Sequence, residues 1–411
     1  MSGALLTTIG GFALVLVAVA ALPPLTTRLR LPAATLQATL GIGLGLVVLL
    51  GAGGVGDAAT TVLAPLTALL VTLSDLGAQG ILAIFLPPLL FDAALRVDTR
   101  LLVADLVPVF LLAVVAVVLT TFLVAGGLVA LTTLPALWAV LLGAVVATTD
   151  PSAVLGVFRE VGAPRRLQSL VEGESLLNDA AAIVLVAAIV EVLQGDASAD
   201  PGAIGLAFLW TFAGGGLLGA AMGWLAGLVV ARLRSSPDAA LTISLALPYL
   251  AFVGAERYLG ASGVVAVVLS GLVLGRALDL RVPPALGRQV LLLWGQLANW
   301  AGALIVVGAT LLVPVTLRPQ VFDLTGLVVV TVACLAARAL VLYGLIPGLA
   351  AAGIASPVSP RFRLAMLWGG LRGAVTVALA LTVAANPALP PFLRERVGVL
   401  ACAFVLVTLF V

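Results

Sequence analysis

Glu172, Glu174, Ser175, Asn178 and Asp179 crowd into one nine-residue stretch, E-G-E-S-L-L-N-D-A, which runs straight into the apolar sequence A-A-I-V-L-V-A-A-I-V. Carboxylates, a hydroxyl and an amide offer oxygen atoms, the donors that suit a hard cation or a proton. On a helix turning by about 100° per residue, Glu172, Ser175 and Asp179 share one stripe, with Glu174 and Asn178 on another roughly opposite. The two stripes can therefore do different work. Asp179 lies more than a turn deeper than Glu172, and Ser175 is near enough to add an oxygen. Glu172 and Glu174 also fit a plainer role as solvated acids at a helix N-terminus, where negative charge is favourable. Asp179 fits that role poorly, because the apolar run has begun.

Asp150, Arg338 and Arg372 also fall near the middle of apolar runs. A charge at that depth costs about 2.5–3.5 kcal/mol on insertion scales, so it needs a partner or a water-filled cavity. Asp150 precedes Pro151, which has no amide to bond the carbonyl of Ala147 and disfavours helical geometry at Asp150. The helix is expected to open there and expose carbonyls around Ala147 to Thr149 beside a carboxylate, a cation-friendly arrangement; a simple kink is the alternative. Arg372, between Gly370 and Gly373, can neutralise opposing helix ends and hold Asp150. Arg338 is free to pair with an acid such as Glu174. For both arginines an ion-pair role that supports only the fold is the leading reading.

These residues must be positioned by elements that live in lipid. The chain has 411 residues, 63% hydrophobic and 9% charged, with 44 glycines, and a mean hydropathy of +1.28. Such a composition belongs to a polytopic membrane protein. Turn signals and charges divide the chain into thirteen expected spans, near 4–24, 32–52, 77–96, 102–126, 135–157, 168–193, 203–231, 239–256, 261–278, 289–313, 321–345, 362–384 and 393–411. The first is expected to be a span rather than a cleaved leader, since its arginines follow the apolar run. The stretch 58–75, with Pro65 inside and Asp57 and Asp75 at its ends, reads as interfacial, with a fourteenth span as the alternative. Cys334 and Cys402 lie in apolar runs and propose neither a disulfide nor a thiolate metal site. Histidine is absent, so proton chemistry falls to carboxylates. G-I-G-L-G (Gly41–Gly45) and the four-residue spacing of Gly215, Gly219, Gly223 and Gly227 read as helix-contact surfaces.

All 20 basic residues are arginine. With the N-terminus outside, fourteen of them, including Arg28, Arg30 and Arg234, fall in inner loops, and only Arg257, Arg318, Arg394 and Arg396 in outer ones. This bias puts the C-terminus in the cytoplasm. Six spans, a linking seventh and six more fit two halves of inverted topology. The fifth span of each half is interrupted, by A-T-T-D-P-S-A-V (Ala147–Val154) and by W-G-G-L-R-G-A-V-T-V (Trp368–Val377).

Together with F-L-P-P-L-L-F-D-A-A-L (Phe85–Leu95) and R-A-L-V-L-Y (Arg338–Tyr343), these motifs occur in an order that resembles sodium/proton exchangers of the NhaP/NHE type, monovalent cation:proton antiporters, over nearly the whole chain. The resemblance implies an all-α protomer of about thirteen transmembrane helices within a single transporter domain, 1–411, and a homodimer. It implies core helices about 102–193 and 321–411, whose broken helices cross, and scaffold or dimerisation helices about 4–96 and 203–313. It implies that Asp179 binds the cation or proton, helped by Thr149, Ser175 and Asp150, that Asn178 completes an asparagine–aspartate pair typical of electroneutral members, and that Glu174 bridges to Arg338. Asp92 stands where similar prokaryotic members often carry glutamate, so it and Glu172 are read as access or accessory residues. No cofactor and no nucleic acid are expected; the partners are lipid and a second copy. The expected location is the plasma membrane, and many relatives continue into a cytoplasmic regulatory tail beyond the point where this sequence stops.

The expected mechanism has Asp179 alternately protonated and cation-bound. Burial disfavours a bare carboxylate, so protons compete with sodium, lithium or potassium at one site. Two alternatives remain at this point. An intramembrane aspartyl protease would share a proton between Asp150 and Asp179, which the two buried arginines disfavour. A cation channel fits paired buried charges less well than alternating access does.

Overall fold

In the computed structural model the residues described are all except 1, 30–32, 53–56, 196–199, 234, 317–322, 356, 371 and 411. Arg30, Arg234 and Arg318, and Leu371 of the second interrupted motif, lie outside the described residues. Helices follow one another as α1 (Ser2–Ala20), α2 (Leu22–Leu29), α3 (Ala33–Ala52), α4 (Asp57–Arg96), α5 (Thr99–Ala104), α6 (Leu106–Leu131), α7 (Ala136–Val145), α8 (Ser152–Glu160) and α9 (Arg165–Gln194). They continue as α10 (Pro201–Arg232), α11 (Pro237–Val253), α12 (Gly263–Arg281), α13 (Pro284–Thr316), α14 (Leu324–Leu340), α15 (Ile346–Ala351), α16 (Pro360–Trp368), α17 (Ala374–Ala384) and α18 (Pro391–Phe410). Wider π-helical turns continue α11 over Gly254–Leu259 and α14 over Val341–Leu345. No strand occurs among the described residues. Eight helical stretches among them are long and apolar enough to cross a membrane. An all-helical chain is the expected answer in lipid, where each backbone amide must find its partner inside its own segment.

Both expected interruptions are present. The first separates α7 from α8 across Val146–Pro151, and the second separates α16 from α17 across Gly369–Gly373. One expectation is corrected: 58–75 is not a segment of its own, because the single 40-residue helix α4 takes in both it and the expected span 77–96. Gly77 and Gly80 weaken a helix by only about 1 kcal/mol each relative to alanine. That is too little to end a helix whose other residues are apolar, and Pro65 sits near its start.

The central element is α9. It packs against α6 and α7 and touches α17, and it ends at Gly195, whose φ of 83° is the left-handed conformation that closes helices. α6 in turn packs against α14, and α17 against α18. A second group is built from α1, α3, α4, α10, α12 and α13. There the four spaced glycines of α10 face α12, with backbone or Cβ atoms of Ser262, Ala266, Ser270 and Ala277 where a side chain would stand. Small residues let two helices approach this closely, and close packing is what holds helices together in lipid.

Candidate ion-binding site

The site is built where the two interruptions meet. Pro151 cannot donate an amide hydrogen bond, so the chain between α7 and α8 leaves carbonyls that a helix would otherwise use. In the second interruption Gly369, Gly370 and Gly373 weaken the helix around Arg372. Arg372 is only 3% exposed. Its Nη1 donates to the carbonyl oxygen of Thr148 and, at 3.4 Å, to that of Ala147. A guanidinium thus sits just beyond the negative, C-terminal end of α7, and its carbon also lies 5.5 Å above the centre of the Phe404 ring. The hydroxyls of Thr148 and Thr376 close the crossing at 2.5 Å. Gly373 lies against Asp150 so tightly that a Cβ there would stand 2.6 Å from Oδ2.

α9 runs alongside this crossing. Ser175 Oγ donates to the Thr149 carbonyl at 2.5 Å, and Asn178 Nδ2 to the Thr149 hydroxyl at 3.3 Å. The carbonyls expected to await a cation are therefore already engaged: those of Ala147 and Thr148 by Arg372, that of Thr149 by Ser175. The Thr149 backbone hydrogen-bonds to the Asp179 carboxylate. Asp179 Oδ1, by contrast, is buried with no hydrogen-bond partner among the described residues. Nor does Asp179 form an ion pair with any of them.

The two stripes of α9 face different spaces. Asp179, Ser175 and Glu172 line a cavity of about 540 Å³ together with Thr149, Asp150 and Asp92. Glu174 and Asn178 border a separate small pocket shared with Arg338 and Arg372. Glu174 Oε1 stands 3.9 Å from Arg338 Nη1, an ion pair rather than a hydrogen bond. Arg338 Nε donates to the Met366 carbonyl at 2.7 Å, which ties α14 to the end of α16. Two other acids lining the cavity have arginine partners: Asp92 receives Arg96 Nε at 2.9 Å on both oxygens, and Glu172 lies 3.7 Å from Arg159. Among the described residues no three acidic, cysteine or histidine side chains gather as a metal cluster. A cation entering here would meet one free carboxylate oxygen with hydroxyls beside it.

Several neighbours were not among the site residues expected from sequence. Gln37 of α3 and Asn299 of α13 line the large cavity, and Thr120 and Cys334 border the small pocket. The available signal was polarity inside an apolar run, which neutral groups give only faintly.

Membrane-length helices around two interruptions and a deep carboxylate define a multi-pass membrane protein. The family model for the transmembrane part of the sodium/hydrogen exchangers matches residues 13–411, and the chain belongs to that family. It is 32% identical over 350 residues to the Na(+)/H(+) antiporter ApNhaP of Aphanothece halophytica, covering 83% of this chain and 64% of that protein. It is also 32% identical over 323 residues to the Na(+)/H(+) antiporter NhaP of Pseudomonas aeruginosa, covering 74% of this chain and 72% of that one. The chain thus spans under two thirds of ApNhaP, and likewise 64% of the low-affinity antiporter NhaS1 of Synechocystis. In fold it is similar to the sodium proton antiporter MjNhaP1 of Methanocaldococcus jannaschii, with a TM-score of 0.75 at 20% identity, covering 99% of this chain and 96% of that one.

Proposed function

We propose that this chain exchanges sodium, or lithium or potassium, for protons across a plasma membrane, with one carboxylate, Asp179, serving both ions in turn. The observation that carries the reading is the buried Oδ1 of Asp179, which has neither a hydrogen-bond donor nor an ion-pair partner among the described residues. A bare carboxylate in that position is unfavourable, whereas a protonated or cation-bound one is close to neutral. Competition of two cations for one host couples their movements one for one. Thr149, Ser175 and Asp150 would supply the remaining oxygens, and Glu174, Arg338 and Arg372 would hold the crossing rigid.

Alternating access is supported by where the large cavity lies. One wall carries Asp92, Gln37 and Asn299 from the α3, α4 and α13 group, and the other carries Asp150, Glu172 and Asp179. A shift of the group around α9 against the group of α3, α4 and α13 would carry Asp179 from one side to the other. The two interruptions support two inverted halves within thirteen spans, and the arginine bias supports an outer N-terminus and a cytoplasmic C-terminus. Electroneutral exchange through Asn178, and a homodimer, rest on likeness to the antiporter family.

The test is exchange in proteoliposomes at clamped potential, followed by a pH-sensitive dye over a sodium, lithium and potassium series. Asp179→Asn is expected to abolish cation-driven pH changes; exchange that survives in that variant sinks the assignment. A transport current, or a rate that follows membrane potential, refutes electroneutrality. Non-saturating flux without proton coupling would make the chain a channel, and cleavage of a transmembrane peptide would make it a protease.

A further inference from the structure

On the face of α9 turned away from the large cavity, a small pocket of about 20 Å³ is bordered by the polar residues Thr120, Thr149, Glu174, Asn178, Arg338 and Arg372. Two of these residues carry an orphaned group: Asn178 Oδ1 and Arg372 Nε are buried and have no hydrogen-bond partner among the described residues. The residues are 1% and 3% exposed, so bulk water does not serve them. One orphan is an acceptor and the other a donor. The Cys334 thiol also borders the pocket and lies within reach of the Arg372 guanidinium, but a thiol sulfur accepts only weakly and leaves the stronger demand of Nε–H unmet. A buried water needs about 10–15 Å³ of such space and two to four polar partners. Leaving both groups unmet would cost the full desolvation penalty of each.

We propose that this pocket is a built site for one water molecule, which accepts from Arg372 Nε–H, donates to Asn178 Oδ1, and has its second hydrogen free for the Glu174 carboxylate. The water closes a ring. Arg372 Nη1 donates to the Thr148 carbonyl, the chain continues to Thr149, and the Thr149 hydroxyl accepts from Asn178 Nδ2. Asn178 Oδ1 then returns to Arg372 through the water. Thr149 is the residue that Ser175 holds and whose backbone meets Asp179. Resting on the reading of Asp179 as ion host, the water is a positioning group for the wall of that site.

A density map of the whole chain in lipid nanodiscs, at about the resolution where waters are seen, tests the site directly. A peak within about 2.7–3.2 Å of both Asn178 Oδ1 and Arg372 Nε is expected. Both side chains ordered with no peak between them overturns the proposal. Ala116 borders the same pocket, and Ala116→Val adds carbon there. Its map should lose the peak, and half-saturation by sodium should rise about three- to tenfold at unchanged maximal rate, the loss of roughly one hydrogen bond. Lost density with wild-type half-saturation would remove the positioning role. If Ala116→Val does not fold, the wild-type map alone decides the site. The peak is expected to persist in Asp179→Asn, so failure of the ion-host reading would leave it standing and be recognised as a separate failure.

Discussion

Gly373→Ala probes the crossing with a single methyl group. Gly373 has φ −115° and ψ −162°, extended backbone that alanine adopts freely, so the change brings no conformational penalty. What it brings is crowding: the new Cβ would stand 2.6 Å from Asp150 Oδ2, 2.8 Å from its Cβ and 3.1 Å from its Cγ. Ordinary contact begins at 3.4 Å, so Asp150 or the first turn of α17 must give way by about 0.8 Å. Strain of this kind in a packed region costs about 1–3 kcal/mol. If half of it falls on the cation-bound state, half-saturation by sodium rises about two- to tenfold, since about 1.4 kcal/mol is a factor of ten. Thermal unfolding in detergent and dye-monitored exchange in proteoliposomes read the two effects separately. Gly126→Ala in α6 is the control, because nothing lies within 4 Å of a Cβ there; it should be neutral or stabilising by up to about 1 kcal/mol. Wild-type melting and wild-type half-saturation in Gly373→Ala would refute the close crossing on which the site is built.

The Glu174–Arg338 pair is buried on both sides, at 7% and 13% side-chain exposure. Either Glu174→Met or Arg338→Met alone should cost about 3–5 kcal/mol by stranding a charge, and the double variant should recover most of it. Strictly additive losses in the thermal unfolding cycle would show that the two are not coupled. At the start of α14, Asp323 accepts from Gly326 N at 2.9 Å and from Arg396 Nη2 at 2.6 Å. Partial burial opposes its ionisation, but these donors prevail and hold the carboxyl below the usual aspartate range. The folded state therefore releases this proton more readily than the unfolded one. The resulting stabilisation is complete above the ordinary value of about 4 and vanishes as pH falls through the lowered folded value. Asp323→Asn should melt below wild type at neutral pH, with the gap closing in acid; a gap constant with pH would refute the pairing.

What could be read from the sequence followed from how strongly each residue constrains the backbone. Pro151 removes an amide, so the opening at Asp150 was legible, and α8 indeed restarts at Ser152. The three glycines and Arg372 marked the second interruption in the same way. The separation of Glu172, Ser175 and Asp179 from Glu174 and Asn178 needed only helical periodicity, and the two cavities fall on those two faces. The length of α4 was hidden, because glycines at 77 and 80 look like boundaries but are weak ones. The π-helical turn after Arg338 left no residue signature, since it changes winding rather than composition. Thr148 and Thr376 are 228 positions apart, and nothing local announces that their hydroxyls meet. Gln37 and Asn299 were passed over because a neutral amide in an apolar run carries no charge to account for.

The crossing has a second consequence that depends on aim rather than on exposure. Arg372 is close enough to act electrostatically on Asp179, and an arginine bonded to that carboxylate would neutralise it permanently and leave no place for an exchanging ion. Its Nη1 is instead occupied by the carbonyls of Ala147 and Thr148. Those carbonyls lie just beyond the C-terminal end of α7, whose negative pole would otherwise repel a nearby carboxylate. One guanidinium thus offsets the helix end while leaving Asp179 Oδ1 without a fixed partner among the described residues. The Thr148–Thr376 contact and the approach of Gly373 to Asp150 keep the second interruption in the register that aims Arg372 this way. The interruptions therefore matter less for the carbonyls they bare, which the protein itself consumes, than for the direction in which they point a buried positive charge.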